Sequence, residues 1–295
     1  RNGHASVEPE TCVYCGKCVS LCPSNAKRIR NDLPRVRQLL SLRSAVYASL
    51  APSFVGEFGE YSAGQLEAAL RRLGFSGVSE TALGAELVTA ETDRWFAEAA
   101  GGLQISTACP VMVDLITKYY PQLAGYLSSA PWPMMAHAAY LREQLGEEIA
   151  VVFIGPCIAK KCESDADQNT VDAAITFSDL RRWLTEAGVD PADEDPERAA
   201  SFIPQKSSAG RFYPVDGGMS KTLSLDSEER FAQCMDVSGI PAVRDTLDGL
   251  DPNVIEGPLF LELLACEGGC INGPGTTDGG SLLQRRSGFT SFAAE

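Results

Sequence analysis

Ile149-Ala-Val-Val-Phe-Ile154 is a continuous apolar run that ends at Gly155-Pro156-Cys157. A short apolar run closed by turn residues is typical of a strand that is buried on both faces of a parallel sheet. Two other apolar runs, at 103–107 and 259–264, also end close to a cysteine, Cys109 and Cys266 respectively. Because ligands bind at the carboxyl ends of parallel strands, we expect these three thiols at the edge where a site forms.

The main part of the chain repeats this alternation of strands and helices. Helices are predicted at 33–42, 64–73, 86–99, 111–127, 133–145 and 178–187, and strands at 45–50, 75–78, 103–107, 149–154, 172–176 and 259–264. Strands that alternate with helices of ten or more residues indicate an α/β fold with parallel pairing. Residues 1–32 differ, because they carry four cysteines and few large apolar side chains. We therefore predict a small domain at 1–32 and a main domain at 33–295.

Composition narrows the classes of function. With 44% apolar and 22% charged residues the chain has ordinary globular composition, which excludes a disordered protein. The net charge of -14 opposes nucleic-acid binding, because a polyanion is bound by clustered Lys and Arg. No apolar stretch approaches the roughly 20 residues that span a bilayer, so no membrane contact is expected. Only His4 and His137 are available as imidazole bases, which disfavours hydrolase mechanisms.

The first group of cysteines follows the spacing Cys12-x2-Cys15-x2-Cys18-x3-Cys22-Pro23. Three thiolates on one tight loop can face the corners of a 4Fe-4S cube, and this spacing is that of bacterial ferredoxins. A zinc knuckle fits the number of thiolates but not the three-cysteine loop followed by Cys-Pro. Grouped thiols also indicate a compartment in which thiols stay reduced, so we predict a cytoplasmic protein.

The role of Cys22 is open at this stage. In two-cluster ferredoxins the fourth cysteine of such a run binds the other cluster, and this sequence contains no second run. Either Cys22 completes the single cluster, or a run upstream of the given sequence is missing and supplied the fourth thiolate.

Four further cysteines lie at strand ends or in a glycine-rich loop. They are Cys109, Cys157, Cys266 and Cys270. Four thiols in such positions fit a second iron–sulfur cluster, and the glycines near Cys270 would let the backbone approach it closely. Any one of the four could be an inert buried thiol, but the placement of three of them at strand ends disfavours that interpretation for all. Cys234 is interpreted as an ordinary thiol.

Three segments around these cysteines resemble the three signature segments of the iron-iron (FeFe) hydrogenase family, in the same order and with similar spacing. The segments are Ser106-Thr-Ala-Cys-Pro110, Gly155-Pro-Cys-Ile-Ala-Lys-Lys-Cys-Glu163 and Leu264-Ala-Cys-Glu-Gly-Gly-Cys-Ile-Asn-Gly-Pro-Gly275. The resemblance covers nearly the whole chain. It implies an α/β fold of two lobes, divided near residue 147, with parallel sheets flanked by helices around a buried H-cluster, plus a small N-terminal ferredoxin-like segment.

The resemblance also implies which residues hold the H-cluster. The four cysteines outside the N-terminal run would bind its 4Fe-4S part, and Cys270 would also bridge to a two-iron unit that carries CO, CN and a dithiolate amine. Lys160 would donate to one cyanide, while Ser53 and the backbone of Pro52 would line the other. A charged donor suits an anionic ligand in a dry pocket. The other residues expected against the cofactor are Ala51, Met134, Gly155, Pro156 and Leu264.

The lysine of this set has a neighbour of the same type, Lys161. If the pair lies at the end of a strand, the two side chains face opposite ways, and only one of them points inward.

The chain departs from the family along the proton path. Ala108 stands where active members carry the cysteine that exchanges protons with the bridging amine, and alanine has no proton to exchange. Thr92 and Trp95 stand where glutamates are expected, whereas Ser128 and Glu163 are retained. A positioned acid-base group typically supplies ~10²–10⁴ in rate, so slow turnover is expected.

The pocket for the two-iron unit is altered as well. Gly155 and Leu264 occupy the positions of two methionines, and Met134 occupies the position of a glutamine donor. A chain that keeps the metal ligands but has an altered pocket resembles the branches of the family that are assigned to H2 sensing. Cys162 or Glu163 offers a replacement proton route, since a thiol with a pKa near ~8.5 can relay protons, although Cys162 can equally be inert.

These features predict an oxidoreductase that slowly and reversibly interconverts H2 with protons and electrons and relays electrons through the N-terminal cluster. Its partners would be H2, protons and a redox partner or downstream signalling domain, and the oligomeric state is open. A second hypothesis is a hydrogenase-like iron–sulfur scaffold or assembly protein that lacks the two-iron unit. A third is a sensor input module whose output domain lies outside this chain.

Overall fold

The computed structural model describes residues 6–167, 170–196, 202–277 and 281–293. Within these ranges, strands form two parallel sheets on which helices pack. The strands are β1 (Val46–Leu50), β2 (Gly77–Glu80), β3 (Gly102–Ile105), β4 (Ala150–Gly155), β5 (Ala173–Thr176), β6 (Cys234–Ser238) and β7 (Pro258–Leu264). The helices are α1 (Lys17–Ser20), α2 (Leu33–Leu42), α3 (Phe54–Glu57), α4 (Ala63–Arg72), α5 (Ala82–Glu98), α6 (Pro110–Tyr119), α7 (Pro133–Leu145), α8 (Ala159–Ala166), α9 (Phe177–Ala187), α10 (Ser227–Gln233), α11 (Ile240–Asp248) and α12 (Leu282–Ala293).

The two sheets consist entirely of parallel pairs. The first has the strand order β2-β1-β4-β5, and the second has the order β3-β7-β6. Every residue of β4 is buried, as its continuous apolar run predicts for a central parallel strand. The predicted α/β class is therefore confirmed.

Each sheet has its own hydrophobic core. Leu50, Val152 and Phe177 belong to the core of the first sheet, and Met112 and Leu263 belong to the core of the second. The carboxyl ends of β1, β4 and β7 and the loop after β3 line one common cavity. The site therefore lies where strand ends of both sheets meet, as expected for parallel sheets.

Most predicted elements are present, with two informative differences. α2 and α7 have the predicted bounds. The helix predicted at 111–127 is wrong in its second half: α6 ends at Tyr119 and Pro121–Tyr126 is a 3-10 helix, since Pro121 lacks the N–H that an α-helix needs. β6 is not evident from the sequence, because its residues are half-exposed or exposed at the sheet edge and give no apolar run.

The division of the chain into domains stays a prediction. Each sheet takes strands from both sides of residue 147, so the chain crosses between the sheets more than once. Among the residues that the structure describes, no helix is both long and apolar enough to span a bilayer.

The N-terminal segment packs tightly on the main domain through Gly16. This residue has a φ of 79°, which favours glycine, and a Cβ there would lie 2.7 Å from side-chain atoms of Ile158 and Pro274. On the other side of the segment, the Nζ of Lys118 donates to the carbonyl of Cys12 over 2.7 Å. These contacts hold the cysteine-rich loop against the loops that follow β4 and β7.

A buried lysine ties the same segment to α8 and α9. The Nζ of Lys161 donates to the carbonyl oxygen of Arg30 over 2.6 Å and to Asp179 over 2.8 Å, and it lies 3.0 Å from Asp32. The side chain is only 3% exposed. Asp32 also pairs with Arg30 and Asp179 with Arg182, so Lys161 is the buried centre of an ion network that fixes the linker after the cysteine-rich segment.

Replacing this cation is expected to destabilise the chain strongly. Lys161→Met removes the buried cation between Asp32 and Asp179, which keep Arg30 and Arg182 as partners. The loss should therefore be about 3 kcal/mol, the lower end of the cost of breaking a buried pair. Thermal or urea unfolding measures the loss. Glu91→Gln is the control, because its ion pair with Arg94 is largely exposed and is worth less than about 1 kcal/mol. Equal stability of the two variants would contradict this role of Lys161.

Candidate metal centre

The four cysteines outside the N-terminal run line one small cavity. Cys109 follows β3, Cys157 follows β4 and Cys266 follows β7, so that three strand ends deliver three of the thiols. Cys270 joins them through the loop after Cys266. The structure thus brings together the set that the spacing along the sequence indicates.

Glycine conformation makes that loop possible. Gly269 has a φ of 98°, and a Cβ there would lie 2.4 Å from the carbonyl oxygen of Pro214. Only glycine allows both the left-handed backbone and this close approach. The turn brings Cys270 back towards Cys266 and into the cavity.

The thiols resist ionisation although the Lys160 ammonium acts to lower the pKa values of Cys157 and Cys270. Burial and the neighbouring sulfur atoms raise the pKa of Cys157 to about 11 and raise the pKa values of Cys266 and Cys270 as well. Four thiolates this close become favourable only when positive charge neutralises them, which iron supplies. Among the described residues no three Cys, His, Asp or Glu side chains converge as they would on a single ion. Four thiolates from three strand ends and one loop suit an iron–sulfur cluster, in which each thiolate binds its own iron.

A second cavity adjoins the first and shares Ala108, Cys157, Lys160 and Cys270 with it. A cofactor of two joined parts would fit two adjoining cavities with Cys270 between them. The other lining residues are Ala51, Pro52, Ser53, Thr81, Pro133, Met134, Phe153, Pro156, Tyr213, Pro214 and Leu264. Of the predicted lining residues, Gly155 alone is absent from this set.

Two polar side chains of the second cavity are suited to a bound acceptor. The hydroxyl of Ser53 is buried and has no hydrogen-bond partner among the residues that the structure describes. Lys160 lines both cavities, and its Nζ donates to Glu163 over 2.7 Å. A buried hydroxyl without a partner is costly, which indicates that a ligand accepts its hydrogen bond.

Glu163, which does not line either cavity, balances the positive charge of Lys160. Burial raises the pKa of the Glu163 carboxyl, while the Lys160 ammonium acts against that rise. Only one of the two adjacent lysines was expected to point inward, because the pair was placed at the end of a strand. That placement is wrong, because the two lysines lie in a helix. α8 begins at Ala159, so both Lys160 and Lys161 are buried, one at the cavity and the other in the ion network with Asp32 and Asp179.

Phe153 explains why Gly155 does not line the cavity. A Cβ at Gly155 would lie 2.5 Å from the ring of Phe153, and that ring lines the cavity itself. The two residues stand two positions apart on β4 and share a face of the strand. The ring of Phe153 therefore fills the space that a side chain at position 155 would take. The i, i+2 spacing of Phe153 and Gly155 along the strand is the sequence signal for this.

The residues predicted for proton transfer are dispersed. Ala108 lines both cavities, whereas Ser128 lines neither of those described and its hydroxyl accepts from the N–H of Ala130 over 3.2 Å.

Cys162 is half-buried; burial raises its pKa, and the neighbouring Cys12 raises it further. It therefore lies towards the N-terminal segment. The Thr92 hydroxyl donates to the carbonyl of Val88 in its own helix.

His137 is a core histidine. Its ring nitrogens lie 2.7 Å from the hydroxyl of Ser49 and 2.8 Å from that of Ser79, and burial lowers its pKa to about 3. It is therefore neutral at physiological pH and positions the two strands that carry these serines. His4 lies outside the described residues.

The N-terminal cysteines lie close to the first cavity. Tyr14 and Cys15 line it together with the four cysteines of the main domain. Cys18 is exposed, and Cys22 accepts a hydrogen bond from the N–H of Ala26 over 3.3 Å, a contact with the backbone that helps lower its pKa. A cluster on this loop would thus be adjacent to one held by the main-domain cysteines.

Glu262 of β7 is a buried carboxyl near the site that the sequence analysis did not single out. It accepts hydrogen bonds from the N–H groups of Met219 and Ser220, over 3.4 and 3.1 Å, yet burial raises its pKa to about 7. Since that pKa lies above the usual 4.5, the folded state binds more protons between the two values. Stability should therefore fall as pH rises from about 4.5 to 7, by about 3 kcal/mol in full.

The variant Glu262→Gln should lack this pH dependence. Thermal unfolding of the two proteins between pH 5 and pH 8 tests it, and the expected result is that wild type loses stability relative to the variant as pH rises. Glu256→Gln, at an exposed carboxyl, should follow wild type. Parallel profiles for wild type and Glu262→Gln would contradict the assignment.

Comparison with known proteins agrees with this geometry. Residues 44–274, more than three quarters of the chain, match the family described as "Iron only hydrogenase large subunit, C-terminal domain", and residues 5–28 match the "4Fe-4S binding domain". Iron hydrogenase 1 of Clostridium pasteurianum is 27% identical over 301 residues, which cover 85% of this chain and 52% of that protein. The NADP-reducing hydrogenase subunit HndD of Solidesulfovibrio fructosivorans is 25% identical over 324 residues, which cover 90% and 55%.

The fold has known neighbours too. A variant of the FeFe-hydrogenase HydA1 from Chlamydomonas reinhardtii superimposes with a TM-score of 0.67 at 19% identity, covering 88% of each chain. The present chain spans about half the length of the two curated relatives. The family matches bear out the predicted cofactors, a 4Fe-4S cluster in the N-terminal segment and an H-cluster in the main domain. The chain belongs to the iron-only hydrogenase family.

Proposed function

We propose that this chain interconverts H2 with protons and electrons at an H-cluster held between the two sheets. One observation carries the proposal: a cavity lined by four cysteines adjoins a second cavity lined by Lys160 and by the unpartnered hydroxyl of Ser53. The first suits an iron–sulfur cube and the second suits a unit with anionic ligands. Cys270 lines both cavities and would connect the two parts.

The protein side of the site has distinct tasks. When bound, the H-cluster supplies the iron centre at which H2 is split or formed. Lys160 and Ser53 would donate hydrogen bonds to its anionic ligands, with the backbone of Pro52 beside them. Met134, Phe153 and Leu264 line the same cavity with apolar surface, which keeps water away from those hydrogen bonds and strengthens them.

Electrons would reach this site through the N-terminal segment. Cys12, Cys15, Cys18 and Cys22 are the proposed ligands of its cluster, and Cys15 lines the cavity of the main-domain cysteines. A cluster ligand on the cavity wall leaves little protein between the two clusters. The redox partner, or a signalling domain, would dock on the exposed side of this segment, where Cys18 lies.

Turnover should be slow, which suits H2 sensing in the cytoplasm better than rapid H2 metabolism. Ala108 lines both cavities at the position where a proton-exchanging thiol would act, and its methyl group has no proton to exchange. Glu163 and Ser128, at positions retained from the family, and Cys162 do not line the described cavities in this structure. Cys162 and Glu163 stay proposals for a replacement proton route.

The alternative function is an iron–sulfur scaffold that lacks the two-iron unit. It needs the first cavity only. The second cavity, with its charged Lys160 and its unpartnered Ser53, favours the hydrogenase, because a scaffold has no anionic ligand for these donors to hold.

Reduction of methyl viologen under H2 tests the proposal. The anaerobically purified chain, loaded with the two-iron unit, should reduce the dye slowly but measurably, and the same chain without that unit should not. Lys160→Met is the matched variant, and it should lower the rate because it removes the charged donor. A loaded chain that reduces no dye above the unloaded control would favour the scaffold.

A further inference from the structure

A chain of three hydroxyl groups begins at the wall of the second cavity. Tyr213 lines that cavity, and its hydroxyl lies 2.9 Å from Oγ1 of Thr89. Oγ1 of Thr89 lies 2.7 Å from Oγ1 of Thr222. Both distances are normal for hydrogen bonds between hydroxyl groups.

The chain leads away from the site towards solvent. Thr89 is buried on α5, whereas Thr222 is only half-buried, in a 3-10 helix at Ser220–Thr222. Asp93 lies one helical turn beyond Thr89 and accepts hydrogen bonds from the N–H and the hydroxyl of Ser224, over 2.9 and 2.8 Å. At the outer end, the half-buried hydroxyl of Thr222 donates to the carbonyl of Met219 over 2.7 Å, and Ser224, the partner of Asp93, lies close by in the sequence.

The three groups have the chemistry of a proton wire. A hydroxyl can accept one hydrogen bond while it donates another, so it can pass a proton on without becoming charged. Burial raises the pKa of Tyr213, and the carboxylates of Glu262 and Asp93 act in the same direction, while the hydroxyls of Thr89 and Thr222 act against them. The net effect keeps the phenol neutral, as such a wire requires.

We propose that Tyr213, Thr89 and Thr222 form the proton route between the second cavity and solvent, in place of the missing thiol at 108. During H2 oxidation, Tyr213 Oη accepts a proton from the cavity as its own proton passes to Thr89 Oγ1. The proton of Thr89 passes to Thr222 Oγ1, and the hydroxyl of Thr222 turns from the carbonyl of Met219 and gives its own proton to water. Each oxygen gains one O–H bond and loses one, and proton reduction runs the same steps backwards. This inference rests on the proposed function.

The other hydroxyls and thiols near the site are not connected in this way. Among the described residues, the hydroxyl of Thr92 contacts only the carbonyl of Val88 and no other hydroxyl, and that of Ser128 accepts from the N–H of Ala130. Cys162 lies towards Cys12 in the N-terminal segment. Thr81 also lines the cavity and begins a chain through Ser49 to His137, but that chain ends among fully buried residues. The chain from Tyr213 ends instead at the half-buried Thr222.

Two variants break the wire without removing packing volume. Tyr213→Phe keeps the ring, and the double variant Thr89→Val with Thr222→Val keeps the shape of both side chains. Thr92→Val is the matched control, because it removes a buried hydroxyl from the same helix outside the wire. In each loaded protein, time-resolved infrared spectroscopy after a pH jump measures how fast the CO and CN bands reach their new positions.

The expected result is that Tyr213→Phe and the double variant respond at least about tenfold more slowly than wild type, while Thr92→Val responds at the wild-type rate. The final positions of the CO and CN bands should be unchanged, because the proton route affects only how fast they are reached. A variant that disturbed the structure around the cofactor would shift the final positions as well. Wild-type rates in both variants, or shifted final bands, would overturn the route. Absence of CO and CN bands from the wild-type chain would overturn the proposed function and the route with it.

Discussion

The variant Ala108→Cys is expected to turn over H2 about 10²-fold faster than the natural chain. Ala108 lines both cavities, so a thiol there would stand where the two parts of the cofactor adjoin. A thiol can accept and release a proton, whereas a methyl group cannot. The gain should lie at the lower end of what a positioned acid-base group supplies, because Thr92 and Trp95 stand where the glutamates of the family's path are expected.

The rate must be normalised to the amount of cofactor. Dye reduction under H2 is therefore compared per loaded site, with the loading taken from the intensity of the CO bands. Ala108→Ser is the matched control, because a serine hydroxyl has similar size but is a much weaker acid, and its rate should stay near that of the natural chain. If Ala108→Cys is loaded equally and is no faster, proton delivery at this position does not limit turnover.

Removal of Cys270 should have the largest effect on the metal content. Cys270 lines both cavities, and the variant Cys270→Ala takes away the thiolate that would belong to both parts of the cofactor. Before the two-iron unit is added, iron should fall from about eight to about four atoms per chain, because only the N-terminal cluster remains. Iron analysis and electron paramagnetic resonance of the reduced protein measure the change.

Cys234→Ala is the control for this loss. Cys234 lies on β6 outside the described cavities, and burial raises its pKa to about 11, so it should behave as an inert thiol. The variant should keep all of its iron. A Cys270→Ala chain that also keeps it would contradict the assignment of the main-domain cluster.

The parts of the site that follow a strand could be predicted from the sequence. An apolar run fixes where a parallel strand ends, and the residue just after it must lie at the ligand-binding edge. From such runs Cys157 and Cys266 are expected at the cavity that they line, whereas the loop that starts at Ala51 was expected there only from the resemblance to the family.

Side chains supplied by distant loops could not be predicted in this way. Tyr213 comes from a stretch that contains only short 3-10 turns and shows no periodic pattern, so nothing local indicates that it reaches the cavity. Phe153 belongs to a predicted strand, yet its entry into the site depends on the lack of a side chain at Gly155. The two buried lysines were misjudged because the chain turns into α8 directly after the site, where adjacent side chains no longer face opposite ways.

Infrared spectroscopy of the purified chain after loading with the two-iron unit tests the central claim most directly. If Lys160, Ser53 and Cys270 hold that unit in the second cavity, the spectrum should show the stretching bands of CO and CN, and Lys160→Met should shift the CN bands. A chain that holds its full iron–sulfur content but shows neither band would contradict the claim and identify a scaffold instead.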